Sequence, residues 1–456
     1  MSYIERLYIK ILNTLAEPVK GIQRKNLICA VLLHIIAFSY LYYRFQAKLS
    51  PDSFFVFSGE IFAAVIAISL LLLAIFSVKK EVEQTEGRSI ATIIYLILAI
   101  CLTINGILKP QAPYASVCLI AYIFILPLLY IAWNSRRDYD LLFRMTATAF
   151  VNIGVIFYIV NFIFFPRELQ EEPGPYMGAT GNPNTLGIVC LSIFVCAVYM
   201  YIVSRKMRMF YVIAAAYSFG MIIVCQARTS MIAGVLAIAA AAVYYIRQSE
   251  IFEKKSLRRI LVMACLAIAL AAGIFAADMI SKVTPPVAYA EENSESAIQS
   301  FADKFKIRSG GLNSMLSQRV ELWEYYGGEI SLLGHSREEY IKETARDNVT
   351  LAPHNTLIAT GYFYGAPTMI AALIFQVYVM VCVFKKIVKK KTGEKNRTHR
   401  RSVPHIYRDE DSFTIMTAIV FCSAGLVEGL EPISLFGVTG LFYISLAGIV
   451  SKKFNL

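Results

Sequence analysis

Charge is scarce in this chain of 456 residues. Only 17% of them are charged, against 57% hydrophobic. Apolar runs reach membrane-spanning length many times over, which excludes an ordinary water-soluble domain. There is no CxxC or HExxH spacing and no Walker loop. A metal site and an ATPase domain are therefore unsupported, and no cofactor is expected. The nine cysteines all lie within or at the ends of apolar runs, and the one long hydrophilic loop has none. No disulfide framework is expected in that loop. Residues 1–26 lack a continuous apolar core, so they are not a cleavable signal peptide. No internal repeat is evident.

What is there reads as an all-α polytopic membrane protein. In residues 1–26, Ile4, Leu7, Tyr8, Ile11, Leu12 and Leu15 share a helical face, with Arg6 and Lys10 elsewhere. That is the pattern of an amphipathic helix lying on the inner membrane surface. About twelve transmembrane helices follow, near 27–43, 54–78, 90–108, 114–133, 142–165, 185–203, 209–225, 230–246, 260–279, 355–384, 412–430 and 436–450. Nine fall in 27–279 and three in 354–456, separated by one large, partly helical loop over 280–353. The tenth is too long for one straight crossing, and Gly361, Gly365 and Pro367 interrupt it. It reads as a short half-helix followed by a full crossing.

The net charge is +12, and its distribution decides what it means. With the N-terminus in the cytoplasm, the short outer connections hold only Arg44, Lys48, Lys109, Arg167 and Arg228. The inner segments hold thirty, including ten Lys and Arg between Lys385 and Arg408. By the positive-inside rule both termini are cytoplasmic and the 280–353 loop faces outward. The basic loop 385–411 is then a topology signal at an anionic leaflet, and no nucleic-acid partner is expected.

Candidate chemistry gathers on the outer side. In SQRVELWEYYGGEISLLGHS (317–336), Arg319 lies one turn before Trp323. Gly327 and Gly328 would end that helix through a left-handed cap. Ser336 and Glu339 have capping-box spacing for the next helix. Pro353-His354-Asn355 then opens an apolar helix with a histidine in its first turn. GNPNTLG (181–187) is either a plain Asn-Pro turn or a backbone nest for an oxyanion or sugar hydroxyls, with Asn182 and Asn184 as contacts. QARTS (226–230) holds Arg228 in a turn of about four residues. It is either a snorkelling arginine or a fork of donors for phosphate oxygens. Arg319 either pairs with a neighbour such as Glu324 or binds an anion. His354 either caps a helix or does chemistry. His335 is a further candidate, and His34 reads as a packed core histidine. Glu60, Glu428 and Glu431 lie deep enough for their charge to suggest a role, though Glu428 could simply pair with an arginine.

The order of these features resembles the O-antigen ligase and O-antigen polymerase superfamily. An NPN turn opens a span, ARTS fills a short loop, and a long outer loop carries R-x-x-x-W and G-H-S. HN then opens a helix. The resemblance covers about residues 176–384, and it departs where many members have Ser-Arg before the eighth span and this chain has Ala-Arg-Thr. It implies a GT-C-like fold in a bacterial cytoplasmic membrane. It implies transfer of an undecaprenyl-diphosphate-linked oligo- or polysaccharide to a glycan, lipid or wall acceptor. Arg228 and Arg319 would hold the diphosphate, and His354 would activate the acceptor. Asn182, Asn184, Trp323, His335, Asn355, Glu428 and Glu60 are expected to line the substrate site, with Glu428 or Glu60 as a competing base. Direct attack would invert the anomeric carbon without a metal. Ligase and polymerase are not separated by the sequence. The rival class is a transporter, such as a lipid-linked oligosaccharide flippase, which should show two related halves. A non-catalytic membrane subunit is the third reading.

Overall fold

The structure is a computed structural model that describes residues 2–46, 56–82, 90–136, 139–166, 175–204, 206–248, 319–349, 351–388, 410–430 and 433–450. The expected ninth span, the first part of the long loop, most of the basic loop and Glu431 lie outside the described residues. Among those described, all regular structure is helical. The amphipathic helix is α1 (Ser2–Ala16). Among the described residues, eight helices are long and apolar enough to cross a membrane. They are α2 (Lys25–Phe45), α3 (Gly59–Ser77), α4 (Ile90–Leu108), α5 (Pro113–Ser135), α6 (Tyr139–Phe164), α7 (Pro183–Val203), α9 (Arg228–Gln248) and α12 (Thr356–Val388). Three apolar helices are shorter: α8 (Arg208–Val224), α13 (Glu410–Gly425) and α14 (Gly437–Ile449). They stand where the seventh, eleventh and twelfth spans were expected. The protein is thus a multi-pass helical membrane protein. Two polar helices, α10 (Arg319–Gly328) and α11 (Arg337–Arg346), sit on one end of the bundle.

Burial follows the apolar runs. In α7, 83% of the apolar window is inside the protein, which makes it the central helix. Helices such as α6 and α12 bury one face and leave Phe162, Ile374 and Val377 exposed, as a lipid-facing helix does. His34 does not join the packed core. It is half-exposed, its Nδ1 meets the Ala30 carbonyl at 2.8 Å, and its Nε2 lies 3.2 Å from the Asn152 amide. The pair satisfies two polar groups that α2 and α6 would otherwise present to lipid.

One π-turn, Ala121–Ile125, interrupts α5. Such a turn shifts the backbone ladder and leaves carbonyls to be satisfied from outside it. Here tyrosine hydroxyls satisfy two of them. Tyr95 donates to the Tyr122 carbonyl at 2.6 Å, and Tyr8 of α1 donates to that of Ile123 at 2.5 Å.

The interruption expected in the tenth span is present at Gly365, which has φ +80° and ψ 161°. Residues 356–364 form the half-helix, and Pro367 lies in the first turn of the long limb, where no backbone donor is needed. The break is held from two sides. Asn105 of α4 donates to the Tyr364 carbonyl at 2.5 Å and to Thr368 Oγ1 at 2.9 Å. The 331–336 loop supplies the Ser331 carbonyl to the Ala366 N–H at 2.9 Å. A Cβ on Gly365 would lie 2.2 Å from the Leu332 carbonyl oxygen. Gly365→Ala therefore combines a left-handed φ with a backbone collision. It is expected to cost at least about 1–3 kcal/mol and to displace the loop. Thermal unfolding checks this against Gly327→Ala, where an added Cβ meets nothing within 4 Å and no change is expected.

Candidate functional site

The turn between α8 and α9 brings the first arginine into position. It is short because Cys225, Gln226 and Ala227 fold back on α8, with Gln226 at φ +53° and the Ala227 N–H bonded to the Ile222 carbonyl at 3.1 Å. Gly187 of α7 lets this turn approach closely, since a Cβ there would lie 2.3 Å from that of Ala227. Arg228 and Thr229 then begin α9 at the same end of the bundle as α10.

A carboxylate from the far end of the sequence meets them. After α13 the chain unwinds over residues 426–430 and crosses the start of α12. Asn355 fixes this crossing. Its Oδ1 accepts from the Leu357 and Ile358 N–H groups, and its Nδ2 donates to the Leu426 carbonyl at 2.9 Å. Thr356 adds a bond to the Leu430 carbonyl at 3.0 Å. Glu428 is thereby aimed inward. Its Oε1 accepts from Arg319 at 2.6 Å and from Thr229 Oγ1 at 3.3 Å, and its Oε2 lies 3.4 Å from His354 Nδ1. The Arg319 and Glu428 side chains are only 12% and 11% exposed. Arg228 is near enough to interact electrostatically with both. Two guanidiniums, one carboxylate and one imidazole thus share one partly buried cluster.

The details depart from expectation in several places. Arg319 does not pair with Glu324; it pairs with Glu428, as the reading of Glu428 as an arginine's partner expects. His354 is not in the first turn of the helix: Asn355 is the N-cap, and His354 precedes it at φ +47°. That left-handed backbone turns the imidazole toward Glu428. Asn355 is accordingly a scaffold residue. Of the two readings of GNPNTLG the Asn-Pro turn at a helix start is the one present, because Asn182 Oδ1 takes the Asn184 and Thr185 N–H groups and caps α7, which closes the backbone nest. Asn184 enters through that backbone bond. Glu60 lies in the first turn of α3, where Arg337 of α11 is among its electrostatic neighbours, and it is no part of the cluster. Trp323 lies one turn along α10 from Arg319, half-buried. Its Nε1 is buried and has no hydrogen-bond partner among the described residues.

His335 has a different task. Its ring stacks on Tyr362 at 4.3 Å, its Nδ1 meets the Tyr362 carbonyl at 3.0 Å, and its own carbonyl accepts from Gln111 at 2.6 Å. Tyr362 donates to Glu343 of α11 at 2.6 Å. Tyr326 of α10 packs edge-on against Tyr362 at 4.9 Å and donates to the Leu351 carbonyl. This aromatic seat fixes α10 and α11 on the half-helix and so holds Arg319 in place. None of these partners shares a sequence signal with the others. The expected capping box at Ser336 and Glu339 is present. The Lys109 ammonium and the Ser336 N–H together hold the Glu339 carboxyl down at about 2. Gly327 and Gly328 are the last exposed turn of α10, but neither takes a left-handed φ.

No family model, no curated protein and no solved structure matches the chain. The functional reading therefore rests on the cluster itself and on the order of motifs in the sequence.

Proposed function

We propose that the protein is a membrane glycosyltransferase of surface-polysaccharide assembly. It moves a glycan from undecaprenyl diphosphate to an acceptor hydroxyl, as a ligase or polymerase. Twelve crossings in a GT-C-like arrangement would put both termini in the cytoplasm and the cluster at the outer face of a bacterial cytoplasmic membrane. One observation carries the reading: Arg228, Arg319 and His354, distant in sequence, converge on Glu428 at one end of the bundle.

The chemistry follows from that grouping. The acceptor oxygen attacks the anomeric carbon, and the bond from that carbon to the diphosphate oxygen breaks. The electron pair leaves with the diphosphate, whose growing charge the two guanidiniums stabilise at a low-dielectric boundary. The acceptor proton goes to His354. A carboxylate beside Nδ1 favours a proton on that nitrogen, which leaves Nε2 as the acceptor. Glu428 also holds Arg319 until an anionic substrate competes for it.

Two experiments test this reading. A topology reporter fused after Glu295 is expected outside the membrane and one after Lys395 inside, from the charge asymmetry. Both on one side would remove the outer site. Purified protein given a lipid-diphosphate-linked repeat unit alone should yield a product ladder if it is a polymerase. Transfer only on adding a second acceptor marks a ligase, and no product in either case removes the enzyme reading.

A further inference from the structure

The loop between α10 and α11 leaves two adjacent leucines uncovered. Leu332 and Leu333 are 71% and 42% exposed. The loop is not free to fold them away. Its Ser331 carbonyl accepts from the Ala366 N–H at 2.9 Å, and the His335 N–H donates to the Tyr362 carbonyl at 2.8 Å. Ser331 Oγ closes the turn between them, accepting from the Gly334 N–H at 2.9 Å. Farther along, the Arg337 N–H donates to the Pro110 carbonyl at 3.0 Å. The loop is thus fixed both to the break in α12 and to the connection that follows α4.

Two measures give the depth of the leucines. The long limb of α12 starts at the break and carries Lys385 and Lys386 in its last turn. Residues 366–388 measure about 34 Å at about 1.5 Å per residue, against a hydrocarbon core of about 30 Å. The break, and the turn packed on it, therefore stand at the edge of the hydrocarbon. The second measure is α4. Its Asn105 bonds the break one turn before Lys109, whose ammonium pairs with Glu339 at 2.6 Å. A lysine at the end of a crossing marks the headgroup level. The Leu332 and Leu333 end of the loop packs on the break, on the apolar side of that charge. The Arg337 end reaches Pro110, beyond it.

At this depth the neighbouring helices already carry an uncovered apolar surface. Ile107 and Leu108 of α4 are exposed, as is Ile370 one turn into the long limb of α12. Irregular backbone is tolerated near hydrocarbon only where its polar groups are satisfied by protein, and the bonds at Ser331, Gly334 and His335 do that. A loop facing water would gain nothing from two leucines held outward by such bonds.

We propose that Leu332 and Leu333 insert among the acyl chains of the leaflet on the Arg319 side of the membrane. Lipid is the occupant because the leucines extend, at the same depth, the uncovered apolar surface of α4 and α12. Insertion holds α10 and α11 from the lipid side, while the aromatic seat at Tyr362 holds them from the protein side. The contact depends neither on the catalytic reading nor on which way the termini face.

The test is tryptophan fluorescence of the full-length protein in phosphatidylcholine nanodiscs, with acyl chains either plain or brominated near the glycerol end. Bromine quenches an indole only on contact, and the emission of Trp133 and Trp323 is subtracted with the unsubstituted protein. Leu332→Trp should emit at short wavelength and lose as large a fraction of its emission to brominated lipid as Ile374→Trp on the exposed face of α12. Lys342→Trp, on the polar face of α11, should emit at long wavelength, lose nothing to bromine and be quenched by aqueous iodide. Leu333→Trp repeats the measurement from the next position, and circular dichroism checks the fold of each variant. Quenching of both leucine variants by iodide and not by bromine would place the loop in water and overturn the proposal. Short-wavelength emission quenched by neither would mean that a second protein surface covers the leucines, and would overturn it equally.

Discussion

Arg319→Ala is expected to reduce glycan transfer roughly 10²–10³-fold, the usual loss when one preorganised donor to a developing oxyanion is removed. The same change leaves Glu428 in a partly buried site without its closest cation. Breaking one side of such a pair destabilises by about 3–5 kcal/mol, so lost activity alone would be ambiguous. The double variant Arg319→Ala/Glu428→Gln removes the orphaned charge and is expected to recover thermal stability without recovering turnover. Arg319→Lys keeps a charge but not the planar fork, and should rescue poorly. Steady-state turnover and thermal unfolding on the four proteins check this. Full activity in Arg319→Ala would take the arginine out of the site.

His354→Gln should lower turnover roughly 10²–10⁴-fold while donor lipid still binds, because a positioned base contributes about that much. The amide keeps a polar contact with Glu428 but cannot take a proton. Glu428→Gln should do less damage to the chemical step, since Nε2 remains a base. It should also raise donor affinity, because Arg319 is no longer held by a carboxylate. The two variants thus differ in binding as well as in turnover: His354→Gln leaves donor affinity as it is, and Glu428→Gln raises it. Normal turnover in His354→Gln with a dead Glu428→Gln would move the base to Glu428. Loss of donor binding in His354→Gln would make the histidine a diphosphate ligand.

Much of the scaffold was legible because its signals are local. Apolar run length marks the crossings, Gly365 and Pro367 mark the break in α12, and Ser336 with Glu339 marks the start of α11. The cluster was legible only in part. QARTS and the R-x-x-x-W segment drew attention to Arg228 and Arg319, and Glu428 was noticed for its depth. That Glu428 pairs with an arginine is among the readings of the sequence; which arginine, and that His354 joins them, is not legible, since Arg319 and Glu428 are 109 positions apart and His354 and Glu428 are 74. No periodicity reports such a contact. The left-handed turn at His354 was missed because nothing local requires it. It follows from Asn355 taking the cap and reaching across to Leu426. His335 and Asn182 were overread for a related reason. A polar residue beside a turn looks alike in sequence whether it meets substrate or satisfies the backbone, and here both satisfy the backbone.

The central claim is that the Arg228, Arg319, His354 and Glu428 cluster transfers glycan from a lipid diphosphate. The most direct measurement is the release of undecaprenyl diphosphate by purified protein supplied with labelled lipid-linked glycan and acceptor. The account predicts one lipid diphosphate released per glycosidic bond formed, inversion at the anomeric carbon, and near-complete loss of both products in His354→Gln and Arg319→Ala. Glycan moving across the bilayer on its lipid, with no diphosphate released, would contradict it.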